Sequence, residues 1–252
     1  MCLTRGSCRG FTLVELLVVI AVVAMLIGIL LPGLGKARAR ARATECLSRA
    51  RDLGAATGSH LDSNREVFPR SQHSAGAHDE LAWEQVYHAY FAGTEYPRAT
   101  DAPWWNDASF WRVCNKHYKC PFDRRQSPMY RDGFPFPMPA LSFGLNVYFE
   151  LRAQEIDPDR WGSMRAPIYR SLCCVPAPHA TVLFGELKDT NLTDHVMAHL
   201  WTRSGATPET AHTRHGSSAS NVFVDGHASE GGLESTFDLS IDLNRWDPGT
   251  AH

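Results

Sequence analysis

Arg9-Gly10-Phe11-Thr12-Leu13-Val14-Glu15 is the stretch whose reading decides the fold. A basic leader stops at a glycine, and an uncharged, strongly apolar run follows from Leu16 to Leu31. One carboxylate, Glu15, stands at the entrance of that run. An acid close to bilayer depth is costly unless a cation meets it, so Glu15 reads as a functional residue with a partner. The nearest candidate partner is the amine that cleavage after Gly10 would create on Phe11. In a helix Phe11 and Glu15 lie one turn apart on the same face. Glu15 equally reaches the Phe11 amine of a neighbouring copy.

Working outward, the apolar run is long enough to span a bilayer once the segment around Phe11 joins it. Pro32 lacks an amide donor and crowds the preceding turn, so a bend is expected there, with the helix continuing beyond it. Residues 36–62 are rich in alanine and arginine, both good helix formers. Ala39, Ala43, Cys46, Ala50, Leu53, Thr57 and Leu61 or His60 recur at spacings of four and three. They form a narrow apolar stripe suited to packing on a sheet or a neighbouring helix. A helix from Phe11 to Asp62 would be on the order of 80 Å long. The arginines of this stretch suit a solvated face or contact with anionic lipid.

Gly10-Phe11-Thr12-Leu13-Val14-Glu15 and the run behind it resemble the class III leader of type IV pilins and type II secretion pseudopilins. The resemblance implies cleavage between Gly10 and Phe11 by a membrane prepilin peptidase, N-methylation of Phe11, and assembly of the processed subunit into a helical filament through Glu15. An ordinary signal peptide would place small residues after the apolar core, and no A-x-A pattern follows Leu31. Basic residues flank the run on both sides, so charge does not set its orientation. A cytoplasmic leader and an exported C-terminal part are what the resemblance implies.

The chain has 252 residues and a formal charge of -2, so no global basic field points to nucleic acid. Three parts are expected: a leader over 1–10, an N-terminal helix over 11–62 with 11–31 in the membrane, and one exported domain over 63–252. Cys2 and Cys8 leave with the leader, and five cysteines remain. Export favours a disulfide between Cys114 and Cys120, or free thiols, over a metal knuckle, for which only three ligands are spaced there. Cys173-Cys174 are adjacent and seldom bond each other, so one of them suits a buried, small hydrophobic position.

Asp79 is placed to cap a short helix that buries Leu81, Trp83, Val86, Tyr87, Tyr90 and Phe91. Residues 93–139 are aromatic and proline-rich, have no clear period, and are expected to pack irregularly. Trp104-Trp105 and Trp111 suit either core positions or a sugar-binding platform. Residues 141–150 alternate as a strand, and residues 180–187 read as a central strand. Asp225-Gly226 between short extended runs signals a tight hairpin. The fold class is therefore α+β: a long N-terminal helix packed on a C-terminal antiparallel sheet, as in pilins.

His215-Gly216 followed by Asp225-Gly226 resembles the H-X9-DG element found downstream in many pilin-like proteins of planctomycete-type bacteria. Cys120-Pro121-Phe122-Asp123, Ser142-Phe143-Gly144-Leu145-Asn146 and Arg214-His215-Gly216 support that narrower match. His215, Asp225 and His227 form one candidate metal set, with calcium the cofactor to weigh against none. The opposing reading is that Asp225 fixes the turn by accepting backbone amides, while His215 ties down the incoming loop. His195 and His199 have zinc-compatible helical spacing, but no glutamate stands next to His195. No nucleophile elbow, phosphate-cradling glycine loop or paired-cysteine ribbon appears, so no enzyme is expected.

The expected function is a pilin or pseudopilin-like subunit of a type II secretion-type pseudopilus or a type IV pilus-like filament. Its partners would be prepilin peptidase, other subunits, the inner membrane and the assembly machinery. The alternative is a membrane-anchored envelope protein that binds glycan or metal and does not polymerise.

Overall fold

The computed structural model describes residues 11–94, 107–130, 137–151, 168–204 and 206–252. The leader with Gly10, and Trp104-Trp105, lie outside them. The chain divides into two compact units, Met1–Ala41 and Arg42–His252. Helix α1, Leu13–Ser63, has 51 residues and runs through Pro32 without interruption. In the first unit its large apolar side chains from Leu13 to Leu31 are each between 47% and 82% exposed. Such a surface demands lipid or other helices around it.

The second unit takes in α1 from Arg42 onward. There the helix buries Ala43, Cys46, Ala50, Leu53, Gly54, Ala56, Thr57 and Leu61. This is the expected stripe, without Ala39 and with His60 half-buried beside it. Small residues dominate the stripe, so backbone can approach the helix closely.

The main sheet has the order β3-β1-β2-β4-β5. Its strands are β1 Phe143–Asn146, β2 Val182–Glu186, β3 His195–Val196, β4 Ala219–Phe223 and β5 Ala228–Gly231. The expected central strand is β2, which pairs antiparallel with both β1 and β4. The sheet is antiparallel except at one edge, where β3 runs parallel to β1. β1 is shorter than its alternation suggested. The Asn146 side chain accepts from the Tyr148 amide at 3.2 Å and starts a 3-10 turn. It also donates to the carbonyls of Val182 and Trp246 at 2.8 and 2.7 Å.

Over the sheet lies an aromatic layer. Trp83 meets Tyr118 and Phe184 edge-on at 5.1 and 5.0 Å, and Tyr87 Oη lies 2.8 Å from Thr57 Oγ1 on α1. Two expectations need correction here. Asp79 starts no helix: it ends α2, Gln72–His78, in the left-handed conformation at φ 55°. The apolar run after it breaks at Tyr87 into α3, Trp83–Val86, and α4, His88–Ala92, leaving Tyr90 half exposed. The proline-rich region is also less irregular than its composition implied. It contains α5, Ala108–His117, whose N-cap Asp107 accepts from the Ser109 amide.

The Asp-Gly hairpin joins β4 to β5. The Gly226 amide donates to the Phe223 carbonyl, and the Phe223 amide to the His227 carbonyl, both at 2.9 Å. Gly226 has φ +89°, so a glycine closes the turn as a bulge. The turn rests on α1 at Gly54, where an added Cβ would overlap the Gly226 carbonyl.

Asp123, fully buried, anchors the loop after α5. It takes the Arg125 guanidinium at 2.7 Å and the Ser142 hydroxyl at 2.8 Å. Burial alone would raise its carboxyl, but the bonds from Arg125 and Ser142 outweigh burial and hold it below the ordinary value.

Two glycines one helical turn apart should respond to alanine with opposite sign. Gly54→Ala is expected to destabilise the chain by about 1–3 kcal/mol, because helix and hairpin must separate. Gly58→Ala, at an exposed position with open space, should stabilise it by about 0.5–1 kcal/mol. Thermal melts of the full chain in detergent measure both. Asp123→Asn should cost roughly 3 kcal/mol at neutral pH. The folded carboxyl titrates below the unfolded one, so the wild-type advantage is present above about pH 4 and fades as pH falls through the folded value. Denaturant unfolding across the acid range measures that convergence.

Candidate functional site

Glu15 has a local partner. The Thr12 amide and hydroxyl donate to Glu15 Oε2 at 2.8 and 2.7 Å, and the Glu15 amide donates to Thr12 Oγ1 at 3.2 Å. The Leu16 amide reaches the Thr12 carbonyl at 3.2 Å. This is a capping box, in which threonine and the glutamate three residues on satisfy each other's backbone donors. The T-x-x-E spacing that signals it was present in the sequence. Phe11, one residue ahead, is 74% exposed.

The second candidate lies inside the Arg42–His252 unit, at the end of β2. Cys46, Cys120, Glu186 and His215 place one sulfur, nitrogen or oxygen atom each within 4.8 Å of one another. Cys46 comes from α1, Cys120 from the segment after α5, Glu186 from the last position of β2, and His215 from the loop before β4. Cys46 Sγ donates to Glu186 Oε1 at 2.8 Å. Cys120 Sγ lies 3.2 Å from His215 Nε2, which is 3.4 Å from Glu186 Oε2. The Ser220 amide donates to the same Glu186 oxygen at 2.9 Å. The side chains of Glu186 and His215 are 0% exposed, and both cysteines are equally enclosed.

Outside this group, Arg214 lies with its Nε 3.8 Å from Glu186 Oε1 and its Nη2 2.6 Å from Asp189. On the far side of the imidazole, Nδ1 faces Glu230 Oε1 at 3.5 Å. Burial works against charge on His215, but contact with Cys120 and Glu186 outweighs it and pushes the imidazole up to about 10. Burial likewise opposes charge on Glu186, and His215, Cys46 and the Ser220 amide hold its carboxyl below the ordinary value. Burial pushes the Cys46 thiol up. Cys46 as a donor, with help from His215, draws the Cys120 thiol down.

Residues from the three fragments quoted beside the H-X9-DG resemblance meet around this group, without Asp225-Gly226. Cys120 and His215 belong to the cluster, Arg214 faces Glu186, and Asp123 with Ser142 forms the layer behind. By spacing along the sequence Cys46 belongs only to the narrow apolar stripe of α1. Glu186 is a lone carboxylate in an otherwise apolar strand, and that oddity was its signal.

The geometry bears on four expectations. His215 does not meet Asp225 and His227, because five residues of extended β4, at about 3.3 Å each, separate the loop from the turn. Asp225 accepts instead from the His227 amide at 3.1 Å and sits 2.6 Å from its ring nitrogen, at the surface. That ring stacks on Phe223 at 4.2 Å. Cys114 and Cys120 are both free thiols, and Cys120 faces the cluster. Cys173 and Cys174 are both exposed, so neither fills a core position. His195 and His199 do not share a helix: one lies in β3 and the other in a 3-10 turn.

A family model described as the prokaryotic N-terminal methylation motif matches residues 5–31. No curated protein and no solved structure matches the chain. The matched segment, with the long apolar start of α1, fits an inner-membrane-anchored protein. It supports a pilin- or pseudopilin-type precursor, the kind of chain that prepilin peptidase processes.

Proposed function

We propose that the chain is a structural subunit, cut between Gly10 and Phe11 and assembled into a type II secretion-type pseudopilus or a type IV pilus-like filament. The observation that carries this reading is the methylation motif at residues 5–31, joined to a helix whose apolar side chains stand exposed on every face. In the inner membrane, lipid covers those side chains while the Arg42–His252 unit lies outside in the envelope. In a filament, neighbouring copies of the same helix replace the lipid. Glu15 is then the one acid among apolar helices, and the new amine on Phe11 of an adjoining copy is the charge that meets it. An unpaired acid there costs several kcal/mol, so the pairing sets the axial step as well as adding stability.

No catalytic role is included. Cys120 and His215 have nucleophile-and-base spacing, but both side chains are enclosed, and a substrate has no approach to them. Of the tryptophans that suited a glycan platform, Trp111 is half-buried and packs edge-on against Phe110 at 5.1 Å, which favours a core role, and Trp104-Trp105 lie outside the described residues.

The capping box gives Glu15 a local task that must be separated from the intermolecular one. Glu15→Leu removes the carboxylate and should leave membrane insertion intact while abolishing sheared filaments. Thr12→Ala removes the capping hydroxyl at a cost of about 1 kcal/mol, keeps the carboxylate, and should retain filaments. Quantifying sheared filament from cells expressing each variant tests this. Wild-type yield from Glu15→Leu, or equal loss from both variants, would contradict the pairing role.

A further inference from the structure

We propose that Cys46, Cys120, Glu186 and His215 form a structural zinc site within the Arg42–His252 unit. The inference is independent of filament assembly. Two thiols, an imidazole and a carboxylate are the ligand types that zinc takes in closed four-coordinate sites. Their reactive atoms converge within 4.8 Å of one another. The separations are 3.2 Å between Cys120 Sγ and His215 Nε2, 3.4 Å from that nitrogen to Glu186 Oε2, and 2.8 Å from Cys46 Sγ to the other carboxylate oxygen, Oε1. The first two are near the edges of a zinc tetrahedron, roughly 3.3–3.8 Å for ordinary bond lengths, and the third is shorter. A slight widening of the group accommodates the ion.

The surroundings have the character of a shell built around a cation site. Thiolates and a carboxylate from three residues carry negative charge, and a divalent ion together with the Arg214 guanidinium balances it. Arg214 is only 5% exposed, and its Nε has no hydrogen-bond partner among the described residues although it points at Glu186 Oε1. Nδ1 of His215 also lacks a hydrogen bond among those residues and faces the Glu230 carboxylate at 3.5 Å. A carboxylate behind a ligating histidine fixes the ring and strengthens it as a ligand.

The four ligands come from α1, the post-α5 segment, β2 and the loop before β4, so one ion would tie the helix to the sheet. Complete enclosure leaves no open coordination position, which marks the site as structural and not catalytic. Bound metal would also protect two adjacent thiols in an oxidising envelope.

The test uses the full chain, purified in detergent without chelator or reductant. Metal content is measured by mass spectrometry, and Co2+ is added to chelator-stripped protein. One zinc per chain is expected, with cobalt giving the intense visible bands of a tetrahedral site and a thiolate charge-transfer band in the near ultraviolet. Cys120→Ser and His215→Gln should lose the metal. Glu230→Gln should keep the cobalt spectrum with about tenfold weaker affinity. Asp225→Ala combined with His227→Ala should bind as wild type does. If the ligand variants do not fold, the wild-type measurements decide alone. Folded wild-type protein with no zinc and no cobalt bands would overturn the site. So would a peptide map showing Cys46 bonded to Cys120, or loss of metal in the Asp225/His227 double variant.

Discussion

The exposed apolar surface of α1 between Leu13 and Leu31 is the constraint that everything else in this chain answers to. At about 25 cal/mol for each Å² of apolar surface, leaving so many aliphatic side chains in water is untenable. The segment lacks charged side chains after Glu15, so nothing along it softens the demand. Lipid meets the demand, and so does a bundle of identical helices. A chain that passes between those two surroundings keeps its membrane anchor and its assembly face in one segment. Under the proposed assembly, Glu15 is the acid carried into both surroundings.

The second half of the same helix solves a different problem. From Ala43 to Leu61 its inward positions are small or of moderate size, and they bring α1 close enough to the sheet for Gly54 to meet the backbone of Gly226. The Asp-Gly turn is therefore more than a hairpin closure. Its glycine supplies the positive φ of the bulge and leaves room where helix and turn touch. On the same face Cys46 reaches across to Glu186, so helix and sheet are joined by polar contact as well as by packing.

Much of this was legible in the sequence, and the exceptions have physical reasons. The periodic stripe of α1, the central strand at Val182–Glu186 and the hairpin follow from local spacing, which a sequence displays directly. Asp79 misled because aspartate serves both helix starts and left-handed turn positions, and only the preceding helix settles which. The hidden helix α5 lies in a proline-rich setting that masks its short period. The buried group around Glu186 was half visible: His215 and Cys120 stood in recognisable fragments, yet their partners came from other elements, Cys46 from α1 and Glu186 from β2, 140 residues apart. Pairing His215 with Asp225 and His227 assumed that nearness along the chain meant nearness in space, and an extended strand defeats that assumption.

The central proposal is that Glu15 serves an amine created on Phe11 by removal of the leader, at the head of a helix held first by lipid and then by its own copies. The intact mass and N-terminal sequence of the protein extracted from the membrane fraction test this most directly. The account predicts a mature chain that begins at Phe11 and carries a methyl group on its amine. A membrane-extracted chain that retains Met1, or is cut after the apolar run, would contradict it.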